Sequence, residues 1–459
     1  MLDYTLKIAL VPIRRHIIGK RVGIFSQAVA KEVKDDVVPY IKANFASAKV
    51  SFVDIEDFNE EGLFYDVMDS ERLAARLKAA AVDAVFLINC NFGSEEAAGR
   101  LARLVGKPVL MWAVRDTRID PDGMRYTDAQ CGSFSLSRIL QRLGIPFSYI
   151  ENCHVRSTTF AEGLRRFFSV ACMLKNFFGM RILQIGSRPV PFKSVMYNES
   201  ELMEKFGIDI ATVNYAIFVK EYNKVLAEKD FTADLTQLKA TFDTGTYTDE
   251  ALVKMLAFKD TYRNLAQEYN CRIVVTECWT AAPLALGANC CTAMSLLADE
   301  KLIVTCETDL LGGITMALLS CAALGEKLPF FGEFTARHPS NDNAELLWHC
   351  GPFAPSLGKG NNKIFNEKPS FTVKDGEYTI ARLDGDRGQY SLLGGKFRTT
   401  DGPYTFGTYL WAEFDDYKKW EERLIDGPYI HHMAEIEGDY RAALKDFCRF
   451  VPGLKPDQP

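Results

Sequence analysis

No run of roughly eighteen uncharged apolar residues occurs in this chain, so it offers no candidate membrane-spanning helix. The N-terminus, MLDYTLKIALVPIRRH, has no basic region followed by an apolar run and a small-residue cleavage site, and the cytoplasm is the expected location. No stretch or tail collects Lys and Arg, and the net charge is −6, which argues against nucleic acid as the main partner. Histidine is scarce, with six in 459 residues, so its clustering carries information. Cysteine is plentiful at twelve, yet no C-x-x-C occurs, and Cys90, Cys172, Cys306 and Cys321 each stand singly inside apolar runs. That placement argues against a disulfide framework or a structural zinc site. It favours buried thiols in a reducing compartment.

The length exceeds what one core holds, and domain-size scaling suggests about two to four domains. Short apolar runs alternate with helical periodicity through the first part. Strands Lys7–Pro12, Val50–Ile55, Ala84–Asn89, Pro108–Val114 and Phe147–Ile150 are separated by helices such as Gln27–Phe45 and Ser94–Val105. This is the pattern of parallel βαβ units. After a helix at Phe160–Phe178 a second such series follows, with strands Arg181–Ile185, Asp209–Val213, Arg272–Thr276, Leu302–Cys306 and Pro329–Phe334. From about Ser340 short alternating runs between Gly-rich turns indicate antiparallel strands of a small barrel or sandwich, and the chain ends in a helical stretch, Tyr440–Phe450. The expected fold is α/β: two Rossmann-like domains (1–172 and 173–340), then a β-rich domain (341–459). Neither α/β series carries G-x-G-x-x-G or a P-loop, so the fold brings no phosphate cradle with it.

Ionisable residues stand out at strand ends, where open α/β sheets build their sites. Glu307 follows the apolar run VTC, Glu333 sits in FFGEFT, His349 in LLWHCG, and the pair His431–His432 in GPYIHHMA. Singly, each has a bland reading as a solvated Glu or a satisfied His. Adjacent histidines in a strand point to opposite faces, so at most one of the pair serves a given site. Together they matter more, because half the histidines of the chain fall here. Two carboxylates and two imidazoles suit a hard-to-borderline divalent ion such as Mn²⁺. Moving a proton between adjacent sugar carbons builds charge on their oxygens, which such an ion neutralises, while a carboxylate carries the proton.

These motifs resemble the L-fucose and L-arabinose isomerases. Glu307 in CETDLLGGITMALL, Glu333 in FFGEFT, His349 in WHCG and His432 in the HH pair follow the order of the metal ligands in the L-arabinose isomerases, and the first three are 26 and 16 residues apart, close to that family's pattern. The stretch IGSRPVPFKSVMYNE and the tail HHMAEIEGDYRAALKDFC are similar to fucose-isomerase-type relatives. The fucose isomerases place Asp where Glu333 stands. The resemblance implies a metal-dependent aldose–ketose isomerase acting on a monosaccharide. Glu307, Glu333, His349 and His432 are then metal ligands, Glu307 and Glu333 the acid/base pair, and the assembly a homo-oligomer (trimer or hexamer). Substrate-pocket candidates are Glu277, Trp279, Arg188 and Trp411, with Trp112 and Arg115 reaching a neighbouring subunit's site. L-fucose, D-arabinose, L-arabinose and acidic sugars such as sulfoquinovose all stay open; an acidic sugar calls for a cation such as Arg188 or Lys193. Two other readings stand beside this one. A non-catalytic sugar-binding or sensory protein shares the two-domain scaffold, and a metal-dependent sugar epimerase, aldolase or dehydratase shares the chemistry.

Overall fold

A computed structural model describes residues 1–17, 24–117 and 119–459. The chain divides into two compact units, one formed by Tyr4–Lys175 and the other by Met1–Asp3 with Asn176–Pro459.

The first unit is a five-stranded parallel sheet of β1 (Leu6–Ile13), β2 (Val50–Val53), β3 (Ala84–Asn89), β4 (Val109–Ala113) and β5 (Phe147–Tyr149), in the order β2-β1-β3-β4-β5. β3 and β4 are buried along their whole length, as sheets covered by helices on both faces require. Each crossover runs through a helix, among them Gln27–Phe45, Ser70–Ala79, Glu95–Val105 and Ala129–Arg142.

The second unit contains a four-stranded parallel sheet of β6 (Arg181–Ile185), β7 (Asp209–Val213), β8 (Ile273–Thr276) and β9 (Ile303–Thr305), in the order β7-β6-β8-β9. It also contains β10 (Phe330–Arg337), β11 (Ala344–His349), β12 (Lys363–Phe365), β13 (Lys368–Thr372), β14 (Glu377–Asp386), β15 (Gln389–Thr400), β16 (Thr408–Glu413), β17 (His432–Glu437) and β18 (Leu454–Asp457). Six of these, β16-β11-β10-β17-β14-β15, close through β15–β16 pairing into an antiparallel barrel, and β13, β12 and β18 extend its edges. One continuous apolar cluster joins parallel sheet and barrel, from Leu183 and Val274 to Phe330 and Trp420.

One expectation is corrected. The run Pro329–Phe334 does not close the second parallel series. The strand it begins, β10, pairs antiparallel with β11 and β17, so Glu333 is a barrel residue. The apolar run FFGEF reads equally well in either sheet, and only long-range pairing decides. Two helices absent from the sequence reading, Tyr215–Glu228 and Thr232–Thr241, lie between β7 and β8.

Candidate active site

The helix Leu310–Ala322 lies between the two sheets of the second unit and is buried along its whole length. Asp309 caps it, accepting the Gly312 N–H at 2.9 Å. A Cβ at Gly312 would stand 2.4 Å from the Phe331 ring, so glycine is what lets the helix lie against β10. The turn before it, Cys306–Thr308, leaves the carboxyl end of β9 with Glu307 at φ 63° and Thr308 at φ 55°. Two successive non-glycine residues in the left-handed region are held there only by their surroundings. Such strain concentrates at functional sites.

Opposite this turn the barrel presents its share. Glu333 on β10 pairs in register with His432 on β17 and with Trp348 on β11, and His349 ends β11. Residues directly opposite on antiparallel strands leave the same face, so Glu333 and His432 emerge side by side. His432 Nε2 lies 3.2 Å from Glu307 Oε2 and 3.6 Å from Glu333 Oε2. Glu307, His349 and His432 each present a ligand atom within 4.8 Å of the others. The four residues named from the sequence therefore converge, from the parallel sheet on one side and the barrel on the other.

His431 is half-exposed, with Nε2 3.6 Å from Glu333 Oε2, whereas His432 is fully buried. The Phe192 ring, from the loop after β6, sits 5.3 Å from the His432 ring, and Phe331 sits 5.0 Å from it. Behind His432, its Nδ1 is 2.9 Å from Asp309 Oδ2, which also accepts Arg382 Nη1 at 2.6 Å. Arg382 Nε donates in turn to Asp384 at 3.0 Å. Burial alone would raise the Asp309 carboxyl, but the Arg382 guanidinium and the His432 imidazole outweigh it and hold it well below the usual range. Burial likewise pushes Glu333 up, and His432, His349 and His431 together bring it below its ordinary value.

The donor set fits a divalent cation. Among the buried polar atoms without a hydrogen-bond partner are Glu307 Oε2, His349 Nε2 and His432 Nε2. Three such atoms turned toward one point, with a fourth donor in Glu333, are otherwise costly. Oxygen and imidazole donors suit Mn²⁺ and its neighbours.

The other sequence candidates lie elsewhere or are engaged. Glu277 joins two turns, accepting the Ser187 N–H at 2.9 Å and the Thr280 hydroxyl at 2.7 Å. Trp279, beside it, is 43% exposed. Arg188 Nη1 donates to the carbonyls of Pro189 and Val190 within its own loop. Trp411 packs with Leu346 and Tyr409 and gives its indole N–H to the Pro403 carbonyl at 2.9 Å. Trp112 belongs to the first unit, where it and Arg115 line a cavity of about 460 Å³ with His154 and Arg156. Asp309, Arg382 and Phe192 were missed as site residues. Asp309 could have been suspected from its position before LLGG, a helix-start signal, and Arg382 with Asp384 from a charged i, i+2 pair in an apolar strand.

An aldose–ketose chemistry is what this arrangement suits, and likeness to known proteins agrees. Residues 16–178 match the N-terminal domain model of fucose/sulfoquinovose isomerases. A sulfoquinovose isomerase of Priestia aryabhattai is 24% identical over 387 residues, covering 82% of this chain and 85% of that protein. One from Alkalicoccus urumqiensis is 25% identical over 334 residues, covering 71% and 74%. A solved ABC-transporter solute-binding protein of Burkholderia multivorans aligns at 12% identity over 70% of this chain and 94% of that chain, with a TM-score of 0.18, too low to carry an argument. The N-terminal match and these relatives support the fucose-isomerase-like sugar isomerase superfamily as the family this chain resembles.

Proposed function

We propose that this protein is a metal-dependent aldose–ketose isomerase, that Glu307 and Glu333 are its acid/base pair, and that its substrate is a sulfonated aldose. The observation that carries the reading is the meeting of both carboxylates at one imidazole nitrogen, His432 Nε2. Glu307, Glu333, His349 and His432 would hold the cation, which when bound neutralises the negative charge that collects on the two reacting sugar oxygens. One carboxylate takes the proton from C2 of the aldose while O1 gains a proton. The proton returns to C1, and O2 loses its hydrogen to become the ketose carbonyl. Glu307 and Glu333 each keep 16–19% of their side-chain surface open, enough to meet a sugar carbon, while buried His432 stays anchored behind them.

The sulfonate follows from the relatives, each named a sulfoquinovose isomerase. The cation to meet it is assigned to the loop after β6, which carries Arg188 and Lys193 and seats Phe192 against His431 and His432. The guanidinium is the better fit, because its fork keeps N–H groups free beyond the two carbonyls that Nη1 serves. A trimer or hexamer, readable by sedimentation, belongs to the same proposal.

The test is conversion of sulfoquinovose, L-fucose, D-arabinose and L-arabinose by chelator-treated protein with and without added Mn²⁺. Conversion of sulfoquinovose that needs the cation, with KM raised at least about tenfold in Arg188→Ala, supports the reading. Silence with Mn²⁺ bound contradicts it, and epimers or cleavage products would redirect it to epimerase or aldolase chemistry.

A further inference from the structure

Three adjacent strands place one residue each in a single row across the barrel: Trp348 on β11, Glu333 on β10 and His432 on β17. In-register neighbours on antiparallel strands leave the same face, with Cβ atoms about 4.5–5.5 Å apart. The row runs from interior to surface. His432 is fully buried, Glu333 keeps 19% of its side chain open, and Trp348 is half-buried. Along this row the site opens toward the indole.

The loop 401–407 holds that indole in place. Its N–H donates to the Phe406 carbonyl, and the Phe406 ring stands edge-on to it, 6.0 Å away at 89°. Gly407 lets the loop come this close, because at φ 86° a Cβ there would stand 2.5 Å from Trp348 Nε1. The indole also lies parallel to the His349 ring within 3°, at 6.3 Å. With its N–H given to a backbone carbonyl, Trp348 has only its apolar face to offer a ligand.

We propose that Trp348 is a substrate-contacting residue, an aromatic platform for the non-reacting carbons of the aldose while C1 and C2 meet Glu307 and Glu333. The inference rests on the isomerase reading and adds to it the residue that reads the sugar's carbon skeleton. The face of an indole is the negative side of its quadrupole, and C–H bonds polarised by sugar oxygens turn positive hydrogens toward it. A hydroxyl-rich side of the sugar gains nothing there, so the platform selects which side faces the barrel. Phe192, seated against His431 and His432, covers the other end of the row, so a ring bounds the sugar on either side of Glu333. These carbons take no part in the proton transfer. The contact is therefore equal in ground state and transition state, and it sets KM rather than kcat.

The test compares Trp348→Ala, Trp348→Leu and Trp348→Phe with the wild type, all Mn²⁺-loaded, with sulfoquinovose as the probe. Binding is read by calorimetry and turnover by steady-state kinetics. Leu keeps apolar bulk without a ring, whereas Phe keeps a ring. Ala and Leu should raise Kd and KM by about tenfold or more, with kcat within about threefold and Mn²⁺ affinity unchanged. Phe should recover most of the loss. Wild-type Kd and KM in the Ala and Leu variants overturn the platform. So does a fall in Mn²⁺ affinity that accounts for the loss, which would make the indole a prop for His349. Failure of the isomerase reading looks different: a wild type that binds sulfoquinovose without converting it refutes that reading, while the Kd of the variants still decides the platform. A wild type that does not bind sulfoquinovose overturns both.

Discussion

His432 Nδ1 lies 2.9 Å from Asp309 Oδ2, and this contact decides which nitrogen of His432 faces Glu307 and Glu333. Asp309 is fully buried and also accepts from Arg382, so it is held ionised and can only accept. Nδ1 must therefore be the donor. Nε2 is left to the site, in the carboxylate–histidine arrangement that orients metal-binding imidazoles.

Asp309→Asn removes the charge that fixes this tautomer while keeping the shape. Cation affinity, read by calorimetric titration of the chelator-treated protein, should fall by about 10- to 100-fold. Unchanged affinity would mean that Asp309 serves only to cap the helix Leu310–Ala322.

The histidine pair should separate cleanly. His432→Ala removes the buried imidazole that both carboxylates approach, and it should weaken cation binding more than Asp309→Asn does. His431→Ala removes a half-exposed ring that faces Glu333 and packs against Phe192 and His432, and it should leave cation affinity within about threefold. The reverse ranking, in the same titration, would show that the wrong member of the pair is placed in the site.

Glu307 occupies a left-handed backbone position that an L side chain tolerates poorly. Glu307→Gly and Glu307→Ala should both lower turnover by about 10²- to 10⁴-fold, through loss of the carboxylate. Their stabilities should differ, with the glycine variant more stable by about 1 kcal/mol in urea denaturation, because glycine accepts φ 63° without penalty. Equal stability would mean that the turn relaxes and stores no strain.

Glu345 on β11 is buried, and that burial pushes its carboxyl up to about 7 from an ordinary 4.5, only partly countered by Tyr417 and Arg337. The unfolded chain releases this proton first, so stability is fully present below pH 4.5 and falls as pH rises toward about 7. The loss attributable to this group is about 3 kcal/mol. Denaturation at pH 5 and pH 8 should show the wild type less stable at the higher pH, with a smaller difference in Glu345→Gln. A difference of the same size in both would assign the pH dependence to other groups.

The sequence made the chemistry of the site more legible than its scaffold. Glu307, Glu333, His349 and His432 could be named because scarce histidines and strand-end carboxylates stand out against apolar runs. The two parallel series were legible for the same reason, since buried strands and amphipathic helices differ in period. What was not legible depended on pairing over distance. Nothing in FFGEFT says that Glu333 belongs to the barrel, because antiparallel partners about 15 and 100 residues away settle it. Asp309 and Arg382 meet across 73 residues, and their shared role with His432 exists only once helix, β14 and β17 are packed.

The most direct measurement of the central claim is hydrogen exchange at the sugar carbons. Sulfoquinovose is incubated in D₂O with Mn²⁺-loaded protein, and C1 of the ketose and C2 of the aldose are followed by NMR. Proton transfer by a carboxylate in exchange with solvent predicts deuterium at those carbons with wild-type protein, and almost none with Glu307→Gln or Glu333→Gln. Incorporation at undiminished rate in both variants would contradict the account, because proton transfer would then belong to groups other than the two carboxylates beside His432.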